Sequence, residues 1–373
     1  MSGWDVIVVG ARVAGAATAM LLARAGLRVL AVDRARRGSD TVSTHALLRG
    51  GTLQLQRWGV LDAVIAAATP PVRRTVFHYG DEVVPVTLRP AAGVTALYAP
   101  RRTLLDSMLA DEAVRAGASI TYGTTVTGLV REAGRVAGVV LRDRSGATRC
   151  ERAGIVIGAD GRRSAVAAAA GAGTLISGTA AGWIRYGYWQ GLEVDGYEWF
   201  YDPDRTAGAI PTNAGLTCVF VGVPNPGRSG SDAFVPPYSL ARRLASAHQV
   251  GRERIVPGQP GFLREAWGPG WALVGDAGYW KDPLSTHGMT DALRDAELLA
   301  RALAAAPRPG ADQHRALAAY QAVRDRLSLP MIDVVEQIAS YAWDLTEVQR
   351  LLRALSSAMT DEVEELASLE PAA

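Results

Sequence analysis

The chain opens on a compact apolar pattern. Val6-Ile7-Val8-Val9 follow Asp5 without a polar break, Gly10 ends them, and a nearly uncharged run of small residues extends from about Ala14 to Ala25 before Gly26. A second apolar run, Arg28 to Val32, ends in Asp33. Short unbroken apolar runs bounded by glycine predict strands buried on both faces, and the small-residue segment between them is long enough for a helix. Further strands are predicted over Ser119–Val130, at Ile155–Ile157 and at Ala272–Val274, with helices opening at Arg102 and Asp291. From Thr75 to Tyr98 and from Trp183 to Val223 the pattern turns to alternating runs such as Tyr186-Gly187-Tyr188-Trp189 and Leu216-Thr217-Cys218-Val219-Phe220, broken by Gly, Pro and Asn. These predict a second sheet. The tail from about Ala311 carries Tyr320, Val323, Leu327, Leu345, Val348, Leu351, Leu352 and Leu355 at helical spacing.

The turn after the first strand carries chemistry. Gly10 permits a tight bend, Gly15 lets the helix approach the strand, and the helix N-terminus offers free N–H groups and a positive dipole end to a pyrophosphate. Arg12 stands where a second glycine is usual in such turns and brings a cationic side chain; Val13 and Ala14 complete the first turn. Asp33, eighteen residues past Gly15, is placed to accept from ribose hydroxyls, with Arg34 beside it. This strand-helix-strand unit predicts a dinucleotide site.

Two more strands end in acidic turns: Ile155-Val156-Ile157-Gly158-Ala159-Asp160-Gly161, and Ala272-Leu273-Val274-Gly275-Asp276. In order and separation, the three motifs together resemble the flavoprotein monooxygenases of the para-hydroxybenzoate hydroxylase type. These belong to a wider group that includes geranylgeranyl reductases and flavin-dependent halogenases, and the likeness covers nearly the whole chain. It implies an α/β (α+β mixed) fold: a Rossmann-like FAD-binding domain, an interwoven β-sheet substrate domain and a helical C-terminal tail. It implies FAD as cofactor, with Asp160 near the pyrophosphate, Gly275 and Asp276 at the ribityl chain, Arg102 against the flavin or its phosphates and Val126 at the adenine. In the loop expected beneath the flavin, Pro283, Gly288 and Met289 match the family, whereas Ser285 and Thr286 stand where glycines are common and Thr290 where asparagine is.

Length and composition fit this class. The 373 residues are 49% hydrophobic and 20% charged, enough for a discontinuous FAD domain (1–70, 100–180 and 260–310), a β-rich substrate domain (71–99 and 181–259) and a helical segment (311–373). A net charge of +2 gives no reason to expect nucleic acid. Cys150 and Cys218 show no metal or redox spacing, so no metal is expected. The first strand begins at residue 4 or 5, leaving no room for a signal peptide, and the longest apolar helical run, Val13 to Ala23, is too short to span a membrane. A cytoplasmic protein is expected; its oligomeric state is not legible.

The tripeptide Ser-Thr-His occurs twice, at 43–45 and 285–287, each in a loop that the resemblance places near the flavin. His45, His287 and Arg49 are therefore candidates for catalysis, and both histidines also for cofactor contact, beside the alternative of capping or packing. Tyr186, Tyr188, Trp199 and Tyr201 are the candidate substrate contacts, ordinary sheet packing being the alternative. Lys281, the single lysine, precedes the flavin loop. The early lysine and the Trp-x-Trp-x-Ile-Pro signature on which related halogenases rely are both missing.

What the resemblance implies is an FAD-dependent monooxygenase, acting through a flavin C4a-hydroperoxide on an aromatic or other electron-rich small molecule of secondary metabolism. NAD(P)H bound transiently, or a separate flavin reductase, would supply electrons. The alternative is an FAD-dependent reductase of carbon–carbon double bonds resembling geranylgeranyl reductase, and a third is a flavin-fold protein that has lost turnover.

Overall fold

A computed structural model describes residues 3–370. Trp4–Val9 lies inside an eight-stranded sheet, parallel to Val29–Asp33 on one side and to Thr148–Gly158 on the other. Ser119–Tyr122 and Trp271–Leu273 extend the parallel arrangement outward. Successive side chains of a strand face opposite ways. Val6 and Val8 thus pack beneath the helices Val13–Arg24, Arg102–Arg115 and Gly288–Ala305, while Ile7 and Val9 meet Val136, Val139 and Leu141 of the strand Arg135–Arg142. Covered on both faces, the first strand is solidly apolar for a structural reason.

The first helix and second strand shift by one residue from the sequence expectation, the strand expected at Ile155–Ile157 extends back to Thr148, the helix expected from Asp291 opens at Gly288, and Ser119–Val130 is divided. There the chain makes two strands, Ser119–Tyr122 and Thr125–Glu132, because Gly123 turns into the left-handed region at φ 68°. The first piece pairs with Val29–Asp33 and the second with Arg135–Arg142, so the break moves the chain from the parallel layer to an antiparallel one.

A second sheet has seven strands, in the order His248–Val256, Trp183–Gln190, Leu216–Val223, Arg205–Pro211, Tyr197–Asp202, Arg74–Tyr79 and Glu82–Thr87. One face carries Tyr79, Tyr197, Trp199, Tyr201 and Phe220 against the helices Ala311–Ala339 and Leu345–Ser368. The last helix is capped by Asp344, whose carboxylate accepts from the Glu347 N–H at 2.8 Å. Residues 371–373 of the expected helical segment lie outside the described residues. Among the described residues no helix is long and apolar enough to cross a membrane.

Candidate cofactor and active site

A cavity of about 710 Å³ opens at the C-terminal ends of the parallel strands, the place where open α/β sheets bind ligands. Its wall collects residues from distant parts of the sequence. Gly10, Arg12, Val13 and Ala14 come from the first turn, Asp33 and Arg34 from the end of the second strand, and Arg102, Val126 and Asp160 from three further elements. Asp276, Pro283 and Thr286 come from the segment after the strand Trp271–Leu273, Gly288 and Met289 from the first turn of the helix that follows, and His45 and Tyr186 from the opposite side.

Backbone conformation shapes the nucleotide end. Gly10 sits at φ 101°, and a Cβ there would lie 2.4 Å from the Ala159 carbonyl oxygen. Gly15, behind the wall, would place a Cβ 1.8 Å from the Gly10 carbonyl oxygen. With no room for either side chain, the helix Val13–Arg24 presses its N-terminus onto the strand end. No side chain caps that helix and its first turn has no acid, so its free N–H groups and dipole are available to an anion. The Asp33 carboxylate braces the turn, accepting from the Ala11 N–H at 2.9 Å and the Ala35 N–H at 2.7 Å. Arg12 donates to Ser39 Oγ at 3.3 Å through Nη2, while its Nη1 is buried without a hydrogen-bond partner. Arg102 donates to both oxygens of Asp106, at 2.8 and 3.1 Å. Asp160 accepts from the Ser164 hydroxyl at 2.5 Å and the Ala165 N–H at 2.7 Å, which fixes the turn after its strand.

At the other end, Gly275 adopts φ 56° and donates its N–H to Asp295 Oδ2 at 3.1 Å, behind the cavity wall. Asp276 faces the cavity with no hydrogen bond to the described residues; burial pushes its carboxyl up to about 6 against the pull of Arg102, Lys281 and Arg162. Thr286 turns left-handed at φ 49°, and the helix Gly288–Ala305 starts two residues on. Asp282 holds the base of this loop, accepting from Leu284 N–H at 2.9 Å and Gly182 N–H at 2.7 Å.

His45 is also strained, at φ 70°, and fully buried. Its Nε2 hydrogen-bonds the Tyr188 hydroxyl at 2.5 Å and its Nδ1 has no partner. Burial, reinforced by Arg101, Arg102 and Arg254, draws the imidazole down to about 3, so the ring is neutral. Tyr188 stands behind His45 with the Arg101 guanidinium 4.1 Å from its ring centroid, outside the cavity wall. Trp199 and Tyr201 pack on Phe220 and Trp343. Tyr188, Trp199, Tyr201 and Phe220 share one face of the second sheet, but the C-terminal helices cover most of it, leaving Ile184, Tyr186 and Val256 to overlook the cavity. Arg49 points elsewhere, donating to the Arg89 carbonyl at 2.8 Å and the Val94 carbonyl at 3.4 Å. Ile184 and Val256 border the cavity without any sequence signal of a site, whereas Arg162 and Trp280 reach it from beside the Asp160 turn and Lys281.

Comparison with known proteins decides the family. The model of the FAD binding domain family matches residues 3–250. The chain belongs to the FAD-binding domain family. The digeranylgeranylglycerophospholipid reductase of Methanocella arvoryzae is 29% identical over 347 residues, 87% of this chain and 84% of that protein. Among solved structures, a triple mutant of the flavin-dependent brominase Bmp2 superposes with a TM-score of 0.84 at 18% identity, covering 99% of this chain and 96% of the brominase. P. aeruginosa PqsL, in complex with 2-aminobenzoylacetate, gives a TM-score of 0.80 at 21% identity over 96% of this chain and all of PqsL. At such identities these structures speak for the fold.

As a member of this family, the protein is an FAD-dependent oxidoreductase, with NAD(P)H the reductant typical of the family. The cavity fits the cofactor on its own terms. Its volume lies within the range of about 300–1,000 Å³ that encloses ligands; the glycine turn, an uncapped helix N-terminus and an unpartnered Asp276 suit a pyrophosphate and a polyhydroxy chain.

Beneath the Pro283–Met289 loop lies a buried set of charges. Lys281 pairs with Asp291, and Arg294 donates to Asp291 at 3.2 Å, to Asp295 at 2.8 and 3.0 Å and to Glu362 at 2.8 Å. His287 belongs to this set and does not border the cavity. His287, Asp291 and Glu362 have ligand atoms within 4.8 Å of one another, but Asp291 already pairs with Lys281, and Glu362 with Arg294, which is shared with Asp295, so the group consists of ion pairs.

Proposed function

We propose that this FAD-binding protein is a monooxygenase acting on an aromatic or other electron-rich small molecule of secondary metabolism. The observation that supports it best is the apolar and aromatic lining of the cavity, to which the second sheet gives Ile184, Tyr186 and Val256 and the segment just before the Pro283–Met289 loop gives Tyr279 and Trp280. Such a lining binds a planar apolar substrate and excludes water. Bound FAD supplies two-electron redox chemistry and, once reduced, the activation of molecular oxygen.

In this proposal the N–H groups of Val13 and Ala14, with Arg12 and the Gly10–Gly15 turn, hold the pyrophosphate, and Asp160 and Arg102 flank it. Asp33 and Arg34 meet the adenosine ribose, and Val126 the adenine. Asp276 accepts from the ribityl hydroxyls, and Pro283, Thr286, Gly288 and Met289 support the ring through their backbone, with the dipole of the Gly288–Ala305 helix favouring negative charge there. Tyr186 touches substrate. His45, neutral and fixed by Tyr188, offers Nδ1 as a hydrogen-bonding atom at the ring and substrate. Neither Arg49 nor His287 takes a catalytic part, because the side chains are engaged outside the cavity.

A second reading, reduction of a carbon–carbon double bond, is favoured by the reductase among the relatives. Isotopic oxygen separates the two: with reduced enzyme and ¹⁸O₂, a monooxygenase product carries one labelled atom, whereas a reductase product gains two hydrogens and no label. Electrons come from NAD(P)H bound transiently or from a separate flavin reductase, and stopped-flow reduction by each donor distinguishes these.

A further inference from the structure

The second Ser-Thr-His segment ends in a histidine whose surroundings dictate its charge. His287 is 1% exposed. Its Nδ1 lies 3.0 Å from Asp291 Oδ1 and its Nε2 3.3 Å from Glu362 Oε1. Nδ1 hydrogen-bonds Asp291, whereas the Nε2 approach to Glu362 is an ion-pair contact that leaves Glu362 Oε1 without a hydrogen-bond partner; two carboxylates this close to one ring favour the imidazolium by their charge.

The charge balance agrees. Around His287, the groups on every packed element are Lys281 before the loop, Asp291, Arg294 and Asp295 on the helix Gly288–Ala305, and Glu362 on the C-terminal helix. Beyond them lie Arg324 paired with Asp325, the Tyr279 phenol, and Asp276 on the cavity side. Lys281, Arg294 and an imidazolium at His287 match the charges of Asp291, Asp295 and Glu362; a neutral ring would leave one buried negative charge uncompensated, which is costly. Burial by itself lowers a histidine's proton affinity, yet Glu362 and Asp291 together raise it here.

Glu362 links this ring to a distant element. It lies on the buried side of the helix Leu345–Ser368 among Ala358, Val363 and Leu366, and holds Arg294 68 residues away as well as His287. We infer that His287, clamped as imidazolium between Asp291 and Glu362, is a positioning residue that fixes the Pro283–Met289 loop to the C-terminal helix and so sets the flavin's seat. The effect on the cofactor rests on the proposal that this loop carries the flavin; the clamp itself does not.

The test has two readouts. In wild-type protein, the His287 ring resonance, assigned by its loss in His287→Asn, stays at the imidazolium position from about pH 6 to pH 8, where an ordinary histidine titrates. In Glu362→Gln the same resonance titrates within that range. FAD affinity, followed by fluorescence on apoprotein, falls about tenfold in Glu362→Gln between those two pH values, a coupling at the lower end of the common range. Wild type and Glu362→Asp stay within about twofold. A purely structural Glu362 would lower affinity equally at both pH values, which would overturn the inference, as would a wild-type His287 that titrates normally. Should Glu362→Gln fail to fold, the wild-type titration decides alone. Absence of FAD binding by wild type would instead defeat the reading of the site and leave the clamp standing on the resonance.

Discussion

Replacing Gly10 by alanine is the sharpest probe of the nucleotide end, because Gly26 provides a matched control. Both glycines have positive φ, 101° and 83°, so alanine at either carries a comparable backbone strain of about 1–2 kcal/mol. Around Gly26 an added Cβ meets nothing within 4 Å, whereas at Gly10 it falls 2.4 Å from the Ala159 carbonyl oxygen. That oxygen belongs to backbone held by the Ala159 N–H bond to the Val9 carbonyl at 2.8 Å, so relief requires moving the strand end or the turn, at about 1–3 kcal/mol beyond the strain. The displaced turn is where the pyrophosphate is proposed to lie. Since 1.4 kcal/mol is a factor of ten, Gly10→Ala should weaken FAD binding by about 5- to 150-fold, while Gly26→Ala changes it less than about twofold. The assay is fluorescence titration of both apoproteins with FAD, with thermal unfolding alongside. Equal FAD affinities in the two variants would refute the reasoning, whatever their melting temperatures.

Asp276 binds a proton more tightly folded than unfolded, so folding takes up protons between the ordinary carboxyl value of 3.8 and about 6. Apoprotein stability contributed by this group is therefore full below about pH 4 and lost as pH rises through 6; Asp276→Asn should gain up to about 3 kcal/mol above pH 6 relative to wild type, at 1.36 kcal/mol per unit. Urea unfolding at pH 5 and about pH 8 checks this, and a gain independent of pH would contradict it. Tyr188→Phe removes the partner of a buried imidazole nitrogen and should cost about 1–3 kcal/mol in unfolding free energy, with FAD still bound; no loss would show that the His45–Tyr188 bond adds little. Tyr186→Phe, at the cavity wall, should leave FAD affinity within about twofold and raise the KM of an accepted substrate by about tenfold, the worth of one hydrogen bond.

Much of the cofactor end was legible because its determinants are local. A glycine that must adopt positive φ, a helix that must touch its strand and an acid at the next strand end all fall within about thirty residues, and pattern alone places them. The substrate side was not legible in the same way. Alternation put Tyr186, Tyr188, Trp199 and Tyr201 on a sheet face, but which part of that face stays open depends on two helices more than a hundred residues downstream, whose docking no periodicity encodes. The charges under the Pro283–Met289 loop were hidden for a similar reason. Glu362 sits at an inward position of an amphipathic helix, a local conflict with the apolar pattern that signals a buried partner without saying that the partners are His287 and Arg294. Gly123 is a smaller case: its break inside a continuous apolar stretch depends on strand pairing with two different neighbours.

The most direct measurement reconstitutes the apoprotein with FAD, reduces it anaerobically with NADPH or dithionite, and admits ¹⁸O₂ in the presence of a panel of aromatic substrates. The account predicts stoichiometric flavin, bleaching on reduction, recovery in oxygen and one labelled oxygen atom in a product. Folded protein that takes up no FAD, or a reduced enzyme that saturates a double bond and never incorporates label, would contradict it.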